Sequence, residues 1–196
     1  DGAADTAVSQ GRGDDLQADD KVLGVLGTFV LDRVRGLGDA KGRFRPTGTA
    51  ERSAGTADGG ARARDGSGEP ETLGGIAYAL ASAVVSVAPG WRVLPIARVG
   101  VDAMPRIRRW LDAVGLPSRG LVECPEANNR GTLRYDDDGR RTERLRGGVG
   151  AWSWDALAPR VARCDALLVN YISGHELDLK TTRRLRTAFR GPVFAD

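Results

Sequence analysis

The chain has 196 residues, enough for one sizeable core or one domain with an appendage. Its 29 Lys+Arg against 26 Asp+Glu leave a net +3, too mild to point to nucleic acid, and one histidine with two cysteines in separate elements argues against a zinc site or a disulfide scaffold. No run is long and apolar enough to span a membrane and the acidic start is unlike a secretory signal, so a cytoplasmic setting is the default.

Residues 1–20 are polar and rich in Gly and Asp, a composition that predicts disorder. The apolar run from Val22 to Val30 predicts a strand buried on both faces, with Asp32 just past its end. From 36 to 71 only Leu37 and Phe44 are large and apolar, which predicts a flexible insertion. Order returns at Thr72-Leu73-Gly74-Gly75, where two adjacent glycines open a helix. Glycines there permit backbone angles closed to other residues and let another group approach the main chain. The helix start behind them offers unpaired N–H groups, although tight strand-to-helix packing accounts for such a pair about as well.

Ile76, Leu80, Val84 and Val87 form the expected inner stripe of this helix, stopped by Pro89-Gly90. Arg92 to Val99 predicts a strand running into Gly100-Val101-Asp102. Ile107, Leu111 and Val114 line a second helix with Trp110, leaving Arg106, Arg108 and Arg109 as a solvated face. After a short strand at Leu121 to Glu123, Gly131 to Tyr135 and Arg141 to Leu145 flank a turn, Asp136-Asp137-Asp138-Gly139-Arg140, and predict a hairpin. Its three aspartates lack the spacing of a calcium loop and suit a solvated turn.

Ser153 is placed to cap a helix through Leu157 and Val161, which Pro159 should kink or restart. Ala166 to Asn170 predicts another buried strand, Leu179 to Phe189 a helix and Pro192 to Ala195 a last strand. His175 and Glu176 fall in the loop after Asn170, where loop hydrogen bonding is the commoner role of such a pair. Strands alternating with helices predict an α/β fold with a mainly parallel, doubly wound sheet and a small β-hairpin element. The chain begins at Asp1 rather than Met and stops directly after a strand-like run, which reads as a piece of a longer protein whose open sheet edge favours association.

The series strand, Asp32, Gly74-Gly75 helix, strand, Gly100-x-Asp102, helix ending Leu111-x-x-x-Gly115, hairpin with Asp-Gly resembles the N-terminal half of the ribokinase-like (PfkB) carbohydrate kinases. The likeness runs from about Val22 to Asp196, apart from the insertion, so 21–196 would be the N-terminal part of such a domain. Arg146-Gly147-Gly148-Val149 before the Ser153 helix also matches a small-residue loop of that family. The resemblance implies transfer of the ATP γ-phosphoryl group, with Mg2+, to a hydroxyl of a sugar, nucleoside or related polyol. It implies substrate contacts at Asp32, Gly74 and Gly75, at Asn129 and Arg130 on the strand of a lid, and at Asn170 on the ligand edge of the sheet. A carboxylate at Asp32 can accept hydrogen bonds from two neighbouring hydroxyls. The expected partner is a small sugar or nucleoside, with a homodimer through the lid and neither nucleic acid nor membrane.

Three departures qualify the resemblance. Ala79 stands where the family usually carries a substrate-touching Asn. The step from the first helix to Gly100 is longer, through Ala88-Pro89-Gly90-Trp91. The Gly-Ala-Gly-Asp motif, which holds the family's catalytic base and anion hole, and the Asn-x-x-Glu motif are absent, and both would lie beyond Asp196. This chain alone is therefore expected to lack turnover. A non-catalytic sugar- or nucleotide-sensing domain on the same fold is the alternative. A dinucleotide-binding oxidoreductase is disfavoured because no Gly-x-Gly-x-x-Gly follows the first strand.

Overall fold

The structure, a computed structural model, describes residues 20–35 and 71–196. The expected N-terminal segment 1–20 and insertion 36–71 lie outside the described residues except for Asp20 and Glu71.

One long strand joins two sheets. β1 (Lys21–Arg35) is apolar and buried over its first half, as the run from Val22 to Val30 predicts, but it continues to Arg35. Its first half pairs in parallel with β3 (Trp91–Gly100) and β7 (Ala166–Val169). Beyond these lie β4 (Leu121–Cys124), beside β3, and β8 (Val193–Ala195), beside β7, both parallel. Its second half leaves that sheet and pairs antiparallel with β2 (Thr72–Gly75) and parallel with β5 (Arg130–Tyr135). β5 closes a hairpin with β6 (Arg141–Arg146). Asp32 therefore lies inside β1, not past its end: the strand keeps its ladder bonds by exchanging the neighbours of one sheet for those of the next.

Among the described residues four helices cover the parallel sheet on both faces, giving the expected α/β, doubly wound architecture. α1 (Ile76–Ser86) and α2 (Met104–Ala113) pack on one side, burying Ile76, Leu80, Ile107 and Leu111 against Val25 and Phe29. α3 (Trp154–Val161) and α4 (Leu179–Ala188) pack on the other, around Leu26, Leu157, Leu167 and Leu185. Each such side chain contributes about 1.5–3 kcal/mol through burial. Phe29 meets Trp110 edge to face, with centroids 6.1 Å apart.

Several local expectations shift. The buried stripe of α1 is Ile76, Ala77, Leu80 and Ala83, while Val84 faces outward, because the small alanines let the helix lie closer to the sheet. Gly74-Gly75 ends a short strand before it opens the helix. α3 runs through Pro159; near the helix end, an exposed Pro removes only one intrahelical bond. Ser153 caps α3 and Asp178 caps α4 by accepting from Ala156 N and Thr181 N. Arg106 is not on a solvated face: its guanidinium turns inward and donates to the Glu71 carbonyl at 2.6 Å. The Asp136–Arg140 tip is a turn in which Asp136 Oδ1 accepts from Asp138 N and Arg140 N. Among the described residues no His, Cys, Asp and Glu cluster could hold a metal ion, and no helix is long and apolar enough to cross a membrane. Both cysteines are free thiols.

Candidate functional site

The exchange of neighbours along β1 creates a cavity of about 1020 Å³ between the small sheet, α1 and the end of β7. Asp32 stands on its wall. In register, Asp32 lies between Thr72 of β2 and Gly131 of β5, and Val30 faces Gly74. Side chains alternate along strands, so Gly74 and Gly131 share Asp32's face. A Cβ at either glycine would collide with a carboxylate oxygen of Asp32. The two glycines are thus the space in which the carboxylate lies.

Gly75 shapes the adjoining corner. It has φ 63°, a conformation that favours glycine, and a Cβ there would strike the Thr28 carbonyl. It is the N-cap of α1 and supplies no side-chain cap, so the first N–H groups of that helix lack a side-chain acceptor from the cap residue. Gly75, Tyr78 and Ala79 all line the cavity, which brings a helix start, an aspartate and a strand edge to one place. Such an arrangement can hold a hydroxyl-rich ligand by carboxylate acceptors on one side and main-chain donors on the other.

Burial first, and the charge of Glu143 second, raise the Asp32 carboxyl above its ordinary value. Among the described residues no hydrogen-bond donor or cation meets that carboxylate. Asn170, just past the end of β7, also lines the cavity. Its Nδ2 donates to both carboxylate oxygens of Asp196 at 2.9 Å, while its buried Oδ1 has no partner among the described residues.

Asn129 and Arg130 occupy a different place. Arg130 donates to Asp102 Oδ2 at 2.7 Å, to Glu71 Oε1 at 3.3 Å and to the Asn128 carbonyl. Glu71, with a side chain only 5% exposed, also receives Arg33 at 2.8 Å and lies near Arg106. This ion cluster ties β1, the start of β2, β5 and α2 together on the face of the small sheet away from the cavity. Asn129 is buried and donates weakly to the Val149 carbonyl at 3.4 Å. Asp32, Gly75 and Asn170 line the cavity and Gly74 abuts it through Asp32, whereas Asn129 and Arg130 do not line it.

Three residues that the sequence-based expectations passed over organise the surroundings. Glu71 sits at the edge of a segment expected to lack order. Glu143 looked like any exposed strand residue, but alternation on β6 aims it at the cavity. Asn128 joins the two sheets: it accepts from Gly100 N and donates to the Phe29 and Asn129 carbonyls, and its own N–H reaches Asp102. That bonding also gives Gly100-x-Asp102 its structural sense, since a side chain at Gly100 would strike the Asn128 backbone. The Glu176 carboxylate accepts from Ile172 N, Ser173 N and Ser173 Oγ; burial pushes it upward, but those donors outweigh burial and hold it below the usual range.

No protein-family model matches the chain, and no curated protein does. Solved structures do. Ribokinase from Thermotoga maritima superposes with TM-score 0.54 at 19% identity, over 90% of this chain and 52% of that one. The nucleoside kinase of Burkholderia thailandensis in complex with inosine gives 0.52 at 18%, over 89% and 52%. Ribokinase from Cryptococcus neoformans in complex with ADP gives 0.50 at 20%, over 86% and 45%. The chain spans about half the length of the kinases it matches. At these identities the likeness establishes the fold, which is ribokinase-like with an open sheet.

Proposed function

We propose that this chain is the acceptor-binding part of an ATP-dependent kinase that phosphorylates a hydroxyl of a sugar, nucleoside or related polyol. The observation that carries this reading is the Asp32 carboxylate, held between two glycines, without a partner among the described residues, and facing a cavity beside a helix start. A half-buried acceptor left open in this way suits a ligand that brings hydroxyl donors in pairs. The solved kinases of this fold include complexes with inosine and with ADP, which support a polyol acceptor and ATP as donor. Asp32 orients the polyol, the α1 start and Asn170 bound the site, and the β5–β6 hairpin forms its lid. ATP, Mg2+ and the catalytic base belong to sequence beyond Asp196 on this reading, and a lid-to-lid homodimer in the cytoplasm completes it.

The test is a phosphoryl-transfer assay on the protein translated through the downstream reading frame, with ribose, fructose and adenosine as acceptors. Acceptor-dependent ADP release and a phosphorylated product are expected. Tight polyol binding with no transfer would favour the second reading, a sensing domain on the same fold. Ala79 on the cavity wall, where a substrate-touching Asn is the family habit, motivates that alternative.

A further inference from the structure

The small sheet sorts its charges by face. The register of β1, β5 and β6 places Asp32, Val34, Leu133, Tyr135, Arg141 and Glu143 on the cavity side. The intervening positions include Arg33, Arg130, Arg134, Arg144 and Arg146, which alternation puts on the other side. Arg33 and Arg130, the two nearest Asp32 in sequence register, are held there by Glu71 and Asp102. Among the described residues the cavity wall carries three carboxylates, Asp32, Glu143 and Asp196, against one cation, Arg141. That cation is already paired with Glu143 at 3.2 Å.

We infer that the cavity selects an uncharged polyol over a phosphorylated one, and that Glu143 is a specificity-determining residue for this choice. The inference rests on the acceptor-site reading above and narrows its substrate class. Arginine is the residue that recognises phosphate in two-pronged fashion, and this sheet is rich in it. Yet, apart from Arg141, its strands turn their arginines away from the cavity and keep carboxylates toward it. A phosphate on the acceptor would enter a wall of net negative charge with no unpaired cation on it among the described residues. An uncharged sugar meets the same wall as a set of hydroxyl acceptors. The field of Glu143 reaches the site, because it adds to burial in raising the Asp32 carboxyl. Glu143 is exposed, as is every residue of β6, so it can be altered without disturbing the fold.

The experiment is calorimetric titration of the chain with two matched pairs, ribose with ribose 5-phosphate and fructose with fructose 6-phosphate, at low and at high salt. The uncharged member of a bound pair is expected to bind about tenfold tighter or more, with the gap narrowing as salt screens it. Glu143→Gln should narrow the gap and Glu143→Lys should narrow it further or reverse it, with thermal midpoints unchanged. Equal or tighter binding of the phosphorylated member would overturn the inference and leave the acceptor site standing. A gap that neither variant moves would overturn the role of Glu143. Binding of none of the four sugars nor of adenosine would overturn the acceptor-site reading and this inference with it.

Discussion

The Asp32 carboxylate occupies the space that a side chain on Gly131 would fill. Their backbones are paired in register between β1 and β5, so the glycine cannot be shifted without moving the carboxylate. Gly131→Ala should displace Asp32 or push the strands apart. Polyol affinity should fall by an order of magnitude or more, while stability changes by about 1–3 kcal/mol, the usual cost of overpacking. Gly74→Ala should do the same from β2. Titration beside urea unfolding separates the two effects, and full affinity in either variant would contradict this account of the site.

A second consequence concerns pH and stability. The folded Asp32 carboxyl lies above its unfolded value, so its ionisation opposes folding at neutral pH, and that opposition is relieved as pH falls through the raised folded value toward 3.8. Asp32→Asn should therefore raise the thermal midpoint at pH 7 and lose that advantage in acid. Stability gained where binding is lost is the mark of a site rather than of a structural carboxylate. Unfolding scans of both proteins from pH 7 to pH 3.5 test it; a lower midpoint for the variant at neutral pH would count against it.

The same shift predicts how a polyol's grip varies with pH. Protonation removes the acceptor capacity of the carboxylate, so affinity should drop in acid with a midpoint above the ordinary carboxylate value. Glu143→Gln removes one of the two causes of the raised value and should move that midpoint downward. An unmoved midpoint would show that Glu143 does not act on Asp32.

Glu71→Ala should destabilise the chain by roughly 3 kcal/mol. It strips a carboxylate from three half-buried arginines, Arg33, Arg106 and Arg130, and breaking a buried ion cluster from one side commonly costs 3–5 kcal/mol. Because this cluster lies away from the cavity, polyol affinity of the folded variant should change little. Urea midpoints and titration together decide; a loss of under about 0.5 kcal/mol, the range of ordinary surface changes, would contradict the role given to Glu71.

Most of the order of strands and helices was legible in the sequence because apolar runs such as Val22 to Val30 report burial directly, but they placed Asp32 past the end of β1 rather than inside it. The two-sheet arrangement was not. Beyond Val30, β1 alternates Asp32 and Val34 with Arg33 and Arg35, and nothing local says that such a polar alternation continues the same strand beneath a new set of neighbours. The partners that hold Arg130, Asp102 and Glu71, come from distant segments, so no local pattern announces them. Glu71 itself closes a low-complexity stretch, where composition hides a single anchored residue. Asn128 shows the same limit: its bonds to Gly100 and Phe29 span sequence separations that no motif records.

The most direct test of the acceptor site is titration calorimetry of the chain and of its Asp32→Asn variant with ribose, fructose and adenosine at neutral pH. Loss of a charged hydrogen-bond acceptor is worth about 1.5–3 kcal/mol, so at least one polyol should bind the chain and bind the variant about tenfold to a hundredfold more weakly. Equal affinity for the two proteins would contradict the assignment of Asp32 and of the cavity around it.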